Sequence, residues 1–272
     1  MSGGRLQVLL VLMPGQPAGS VLRTIPGRSR DQLSWALLNC TTPGPDAPHT
    51  SLAAVATGRR DALPAAGGEL LLDGSPALRD LQARVKSAPS WRSAMSVGAF
   101  AAGRGKSVAY CSPPQGMGAG ILTVLDPEGE PARGVRMISA PNLASALEEP
   151  PPADLVVMDL TSPAAGTAAA VISQRLSDWK PTPDRLVMLV WADPAARTGD
   201  TWTRLGLVGV LGLHGGPGLL TAGSTRTSGL VTVADLAPTL LEWLRLPVPA
   251  GAEGLPLRLA SKEGRERLLR LA

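Results

Sequence analysis

Seven stretches of this chain are short and rich in Val and Leu, and several are apolar at nearly every position: Leu6–Met13, Ser107–Cys111, Ile121–Leu125, Val135–Ile138, Asp154–Leu160, Arg185–Trp191 and Leu207–Leu213. A strand with one wet face alternates apolar and polar residues, whereas a strand covered on both faces does not. Between these runs lie segments with helical spacing: Asp31–Leu38, Thr50–Ala56, Pro76–Ser87, Trp91–Ala102, Leu143–Glu148, Ala164–Asp178 and Leu236–Leu244. Strand and helix in alternation predict an α/β fold, a three-layer α/β/α sandwich with a largely parallel central sheet. Leu6–Met13 is expected as a central strand. Right-handed crossovers then gather the functional loops at the carboxyl ends of the strands.

With 272 residues, 44% of them hydrophobic, the chain has enough apolar material for one sizeable core, and residues 1–272 read as a single domain. The best linker candidate, Glu148-Glu149-Pro150-Pro151-Pro152, runs straight into a strand and reads as a stiff helix-to-strand connection. The first apolar run has some marks of a signal peptide, with Arg5 before it and Ala18, Gly19 and Ser20 after it. Its single charge, its interruption by Gln7 and its shortness favour a buried first strand, and hence a cytoplasmic protein. No run approaches the roughly 20 apolar residues that span a bilayer. The net charge of +4 is spread thinly, without a basic stripe interleaved with aromatics, so no nucleic-acid binding is expected. Cys40 and Cys111 form no CxxC pair and read as buried free thiols.

Two motifs carry more information. Gly103-Arg104-Gly105-Lys106-Ser107 has the ending of a phosphate-binding loop, but Phe100 stands where the leading Gly is needed, and a strand follows instead of a helix. It reads as a helix C-terminal turn with Gly103 near the left-handed position. The segment from Ser224 to Leu246 places Asp235 as an N-cap, Pro238 in the first helical turn, and Leu236, Leu240 and Leu244 on one apolar face. Losing such a cap costs about 0.5–2 kcal/mol.

The run Gly229 to Leu257 closely resembles the closing segment of phosphatases and sulfatases of the alkaline-phosphatase-like superfamily. The shared pattern is a strand, an Asp-Leu-Ala-Pro-Thr helix start at Asp235, a Leu-Pro turn, and a Gly-x-Pro-Leu ending at Gly254-Leu255-Pro256-Leu257. Asn39 to Gly58, ending in Thr57-Gly58, is similar to the segment that carries that superfamily's nucleophile. The resemblance implies two divalent ions held by Asp and His, plus a Thr, Ser or Cys nucleophile at a helix N-terminus, together driving an in-line displacement.

This chain departs from that pattern. The opening strand leads into Met13-Pro14-Gly15 where an Asp is expected. Asp159 is present, but Pro163 takes the place of the His four residues on, and Asp193 is followed by Pro194 in place of His. The only histidines are His49 and His214, where the resemblance implies about three in the site. His214 reads as a core or loop residue, and His49 precedes a helix. Thr41, Thr42, Thr50 and Ser51 lie near the expected nucleophile, but counting back from Thr57-Gly58 lands on Pro48 or Ala47. A hydroxyl also needs a metal or a base to activate it, and none is identifiable. Thr42 is the candidate nucleophile, and Asp159 and Asp193 are the candidate metal ligands.

The reading is a diverged, non-catalytic relative acting as a binding or structural module, with no cofactor. The alternative is a metal-dependent phosphoester or sulfoester hydrolase with a reduced site using zinc, manganese or magnesium. Ser261 to Leu271 sets Lys262, Arg265, Arg267 and Arg270 against Leu268, Leu269 and Leu271. It reads as a short docked helix, a pattern shared by membrane-surface and partner-binding helices, so a protein partner stays open.

Overall fold

The computed structural model of the chain describes residues 6–13, 18–40, 50–62, 75–114, 116–141, 143–161, 184–192, 205–212 and 216–261. In chain order the described strands are β1 (Gln7–Leu12), β2 (Ser34–Asn39), β3 (Val108–Ser112), β4 (Val135–Ser139), β5 (Leu155–Asp159), β6 (Arg185–Trp191), β7 (Leu205–Leu211), β8 (Leu219–Thr221), β9 (Leu230–Thr232) and β10 (Arg258–Ser261). The described helices are α1 (Ala18–Thr24), α2 (Gly27–Gln32), α3 (Thr50–Thr57), α4 (Ser75–Ser87), α5 (Pro89–Ala94), α6 (Val97–Gly103), α7 (Leu143–Glu148) and α8 (Leu236–Trp243).

The strands form one sheet in the order β10-β8-β2-β7-β6-β1-β5-β3-β4, with β9 also pairing β2. β1 is central and parallel to both neighbours, β5 and β6. Among the paired strands only β7 and β10 run against their neighbours. The apolarity of β1 has a direct cause in this placement. Val8, Leu10 and Leu12 enter a core shared with residues of α3, α6 and α8, while Leu9 and Val11 enter a second core with residues of α1 and α7. Each side chain so buried stabilises by about 1.5–3 kcal/mol. Two cores on opposite faces of one sheet make the expected three layers.

The structure departs from the sequence expectations in three described segments. Asp31–Leu38 is not a helix: its second half is β2, antiparallel to β7. Ser34, Trp35, Ala36 and Leu38 are buried, and a strand covered on both faces has no period to separate it from a helix. The partner strand accommodates Trp35 with Gly209 directly opposite, where a Cβ would sit 2.5 Å from the indole ring. Ile121–Leu125 is not a strand. Ala119–Val124 forms a buried 3-10 helix, capped within by Thr123 Oγ donating to the Gly120 carbonyl at 2.7 Å. Trp91–Ala102 is two helices. The chain breaks at Met95, where φ is +54°, and Ser96 caps α6 by accepting from the Ala99 N–H at 3.3 Å.

Gly103 is the last residue of α6, and the left-handed residue is Gly105, with φ +80°. The Gly105 N–H reaches the Ala102 carbonyl and the Lys106 N–H the Ala101 carbonyl, which closes the helix as a Schellman turn. Asp235 stands at the N-cap position of α8, as expected, but its side chain makes no cap bond to that helix. A 3-10 turn, Val233–Asp235, precedes the helix; Thr232 is its N-cap, and Asp235 is the third residue of a capping box. Ala164–Asp178 lies outside the described residues, as does Ser261–Leu271 beyond Ser261, which ends β10.

Candidate functional site

Asp159 is the last residue of β5, beside Leu12 at the carboxyl end of β1, and the Leu160 N–H donates to the Leu12 carbonyl at 2.8 Å. This is the sheet edge where an α/β fold places its chemistry. The Asp159 carboxylate, however, has 0% exposure. Its Oδ1 accepts the Thr161 N–H at 2.9 Å and the Thr161 hydroxyl at 2.6 Å. Its Oδ2 accepts the Tyr110 hydroxyl.

Each partner is placed by local structure. Tyr110 opposes Val157 in the β3–β5 register, so Asp159 lies two residues along on the same face. Asp159-Leu160-Thr161 turns back on itself, so that the carboxylate caps its own downstream amide. The segment before the 3-10 helix then folds over the carboxyl. The Gly120 N–H donates to Thr161 Oγ at 3.2 Å, and a Cβ at Gly120 would lie 2.5 Å from the Asp159 carboxyl carbon. Only a residue without a side chain fits there.

Burial pushes the Asp159 carboxyl above its usual range, against the hydrogen bonds from Thr161 and Tyr110, which favour the anion. Tyr110 is held well above the usual phenol value, first by burial and then by the neighbouring carboxylate. On the other face of the same strand, burial pushes the Cys111 thiol up to about 11. Cys111 and Cys40 are both free and buried, as the sequence predicts, and Cys111 stays a thiol rather than a nucleophile at neutral pH.

Of the candidate nucleophile and metal ligands, Asp159 is described. Thr42, Asp193, His49 and His214 lie outside the described residues, together with Pro14, Pro163 and Pro194. Ser51, another candidate hydroxyl, is buried and donates to the Cys40 carbonyl at 3.1 Å. Thr57 Oγ is spent on the Ala53 carbonyl at 2.8 Å, which closes α3. Sequence reasoning missed Tyr110, Thr161 and Gly120. Two faint signals were present: Tyr110 is the chain's single tyrosine, and Asp-x-Thr is a turn signature.

Among the described residues, Asp159 is the one expected metal ligand, and its oxygens are engaged by the chain itself. A carboxylate offers about four lone-pair directions, and three donors from Tyr110 and Thr161 occupy both oxygens of Asp159. Binding an ion there would first require breaking those contacts in a site closed by Gly120. The prolines that replace the other expected ligands have no side-chain donor atom.

No family model matches the sequence, and no curated protein matches it. Among solved structures, the chain has a TM-score of 0.45 and 9% identity to the PH0037 protein from Pyrococcus horikoshii, covering 90% of this chain and 98% of that one. It has a TM-score of 0.43 and 9% identity to the lipoteichoic acid synthase LtaP from Listeria monocytogenes, covering 90% of this chain and 73% of that one. Likenesses this distant carry no inference about family, activity or substrate.

Proposed function

We propose that this chain is a diverged, non-catalytic relative of the alkaline-phosphatase-like hydrolases, serving as a binding or structural module. The observation that carries the reading is the engagement of both Asp159 oxygens. In a metal site its oxygens would face an ion; here they face Tyr110 and Thr161. The carboxylate instead fastens β3 to the carboxyl end of β5, which is a structural task. The histidine count and the prolines at Pro14, Pro163 and Pro194 support the same reading. The extension of one sheet from β1 to β10 supports a single domain over 1–272. Among the described residues no helix is long and apolar enough to cross a membrane.

The test is elemental analysis of the dialysed protein, with aryl phosphate and aryl sulfate hydrolysis assayed after adding zinc, manganese or magnesium. No bound ion pair and no turnover above buffer are expected. Two ions per chain, with metal-dependent turnover lost in Asp193→Ala, would establish the hydrolase built on Thr42, Asp159 and Asp193 instead.

A further inference from the structure

The sheet ends at β4, and among the described residues no strand pairs with its outer edge. The Ala140 N–H bonds back to the Ser112 carbonyl of β3. By the alternation of a strand, Ile138 and Arg136 also face β3, which leaves the N–H and C=O groups of Met137 and Ser139 pointing outward. Arg136, Met137 and Ser139 are exposed, Met137 at 39%, so this edge is open to solvent. An open edge is a template for another strand unless charge or shape prevents it.

Three cations stand at this edge. Arg133 and Lys106 stand two residues before Val135 and Val108, which pair with each other, so both cations lie at the amino end of β3 and β4. Arg136 stands on the edge strand itself. Among the described residues no carboxylate pairs with Arg133, Arg136 or Lys106. Of the acids in the turn leading into β4, Asp126 and Glu130 are engaged. Asp126 accepts the Glu128 and Glu130 N–H groups, and Glu130 pairs with Lys86 at 2.9 Å.

We propose that the outer edge of β4 takes up an extended acidic polypeptide segment as an additional strand, its carboxylates meeting Arg133, Arg136 and Lys106. Backbone pairing to Met137 and Ser139 supplies affinity, and the cations supply selectivity. A second copy of this chain fits the edge poorly. Antiparallel self-pairing about Met137 would bring the two Arg136 side chains onto one face as diagonal neighbours, where like charges repel. The surface is two strands from Asp159, so the proposal stands whether or not the domain is catalytic.

The test uses a fluorescein-labelled octapeptide of alternating Glu and Val, with a Lys-Val octapeptide as its counterpart, followed by anisotropy. The acidic peptide should bind at least ten-fold tighter. Met137→Pro removes one outward N–H at a position where an edge strand tolerates proline, and should weaken binding at least ten-fold. Arg133→Glu combined with Arg136→Glu should invert the preference. Independently of any variant, the Met137 and Ser139 amides of the unaltered protein should gain exchange protection when the acidic peptide is added. Equal affinity for both peptides, acidic binding unchanged by Met137→Pro, or no added protection at those amides would each overturn the proposal. A dimer that forms without peptide and is lost in Met137→Pro would also overturn it, in favour of self-pairing.

Discussion

Replacing Asp235 with Ala separates an ordinary helix cap from a tertiary anchor, because the two roles differ in magnitude. A surface cap is worth about 0.5–2 kcal/mol. Asp235 has 0% exposure and takes four hydrogen bonds. Its Oδ2 accepts the Thr232 N–H at 2.8 Å, the Thr232 hydroxyl at 3.0 Å and the Ser224 hydroxyl at 2.7 Å, and its Oδ1 accepts the Leu255 N–H at 2.9 Å. In Asp235→Ala the two hydroxyls can turn to other acceptors, but the two backbone N–H groups cannot. Each orphaned buried donor costs about 1–3 kcal/mol, so the loss should be about 2–6 kcal/mol. At the middle of that range, a chain of this size should melt roughly 8–16 °C lower. Repair is also blocked from the other side, since Gly254 lies so close to Ala234 that the loop at Leu255 has little room to shift. Calorimetry and urea unfolding would measure the loss, with Asp235→Asn, which keeps one acceptor oxygen, falling between. A loss in Asp235→Ala of less than about 1 kcal/mol would refute the anchor, because even one lost N–H bond should cost more.

Gly120→Ala should destabilise by about 1–3 kcal/mol, because its Cβ would press on the Asp159 carboxyl at 2.5–2.8 Å; an unchanged melting temperature would show that the 3-10 segment is free to move aside. Asp159→Asn should change the pH dependence of stability. The folded state holds the Asp159 proton more tightly than the unfolded state, whose reference value is 3.8. Its contribution is therefore fully present below that value and is lost as pH rises through the raised folded value. Urea midpoints of the native protein should fall relative to Asp159→Asn as pH rises above about 4, and parallel curves for the two proteins would refute the assignment.

Several features were legible before any tertiary contact was known. β1, β5 and β6 announce themselves as apolar runs because strands buried on both faces need no alternation. The Ser224–Leu257 segment announces itself through local chemistry, including the capping box written in Thr232-Val-Ala-Asp235, although the Asp235 side chain caps the 3-10 turn before the helix rather than the helix itself. What the sequence left open was decided across long separations. β2 is a strand because β7 and β8 lie on either side of it, and its own residues suit a helix as well. Ala119–Val124 is a buried 3-10 helix rather than a strand because Gly98 of α6 packs directly onto it, leaving 2.7 Å between a would-be Cβ and the Thr123 carbonyl oxygen. The state of Asp159 was hidden most completely. Its aspartate reads as a ligand in the sequence, and its burial and hydrogen bonding arise only when Tyr110, 49 residues away, and Gly120 close around it. Hydrogen bonding and desolvation act through space, so a one-dimensional pattern shows which groups can bond, and only the packed chain shows which bonds are already taken.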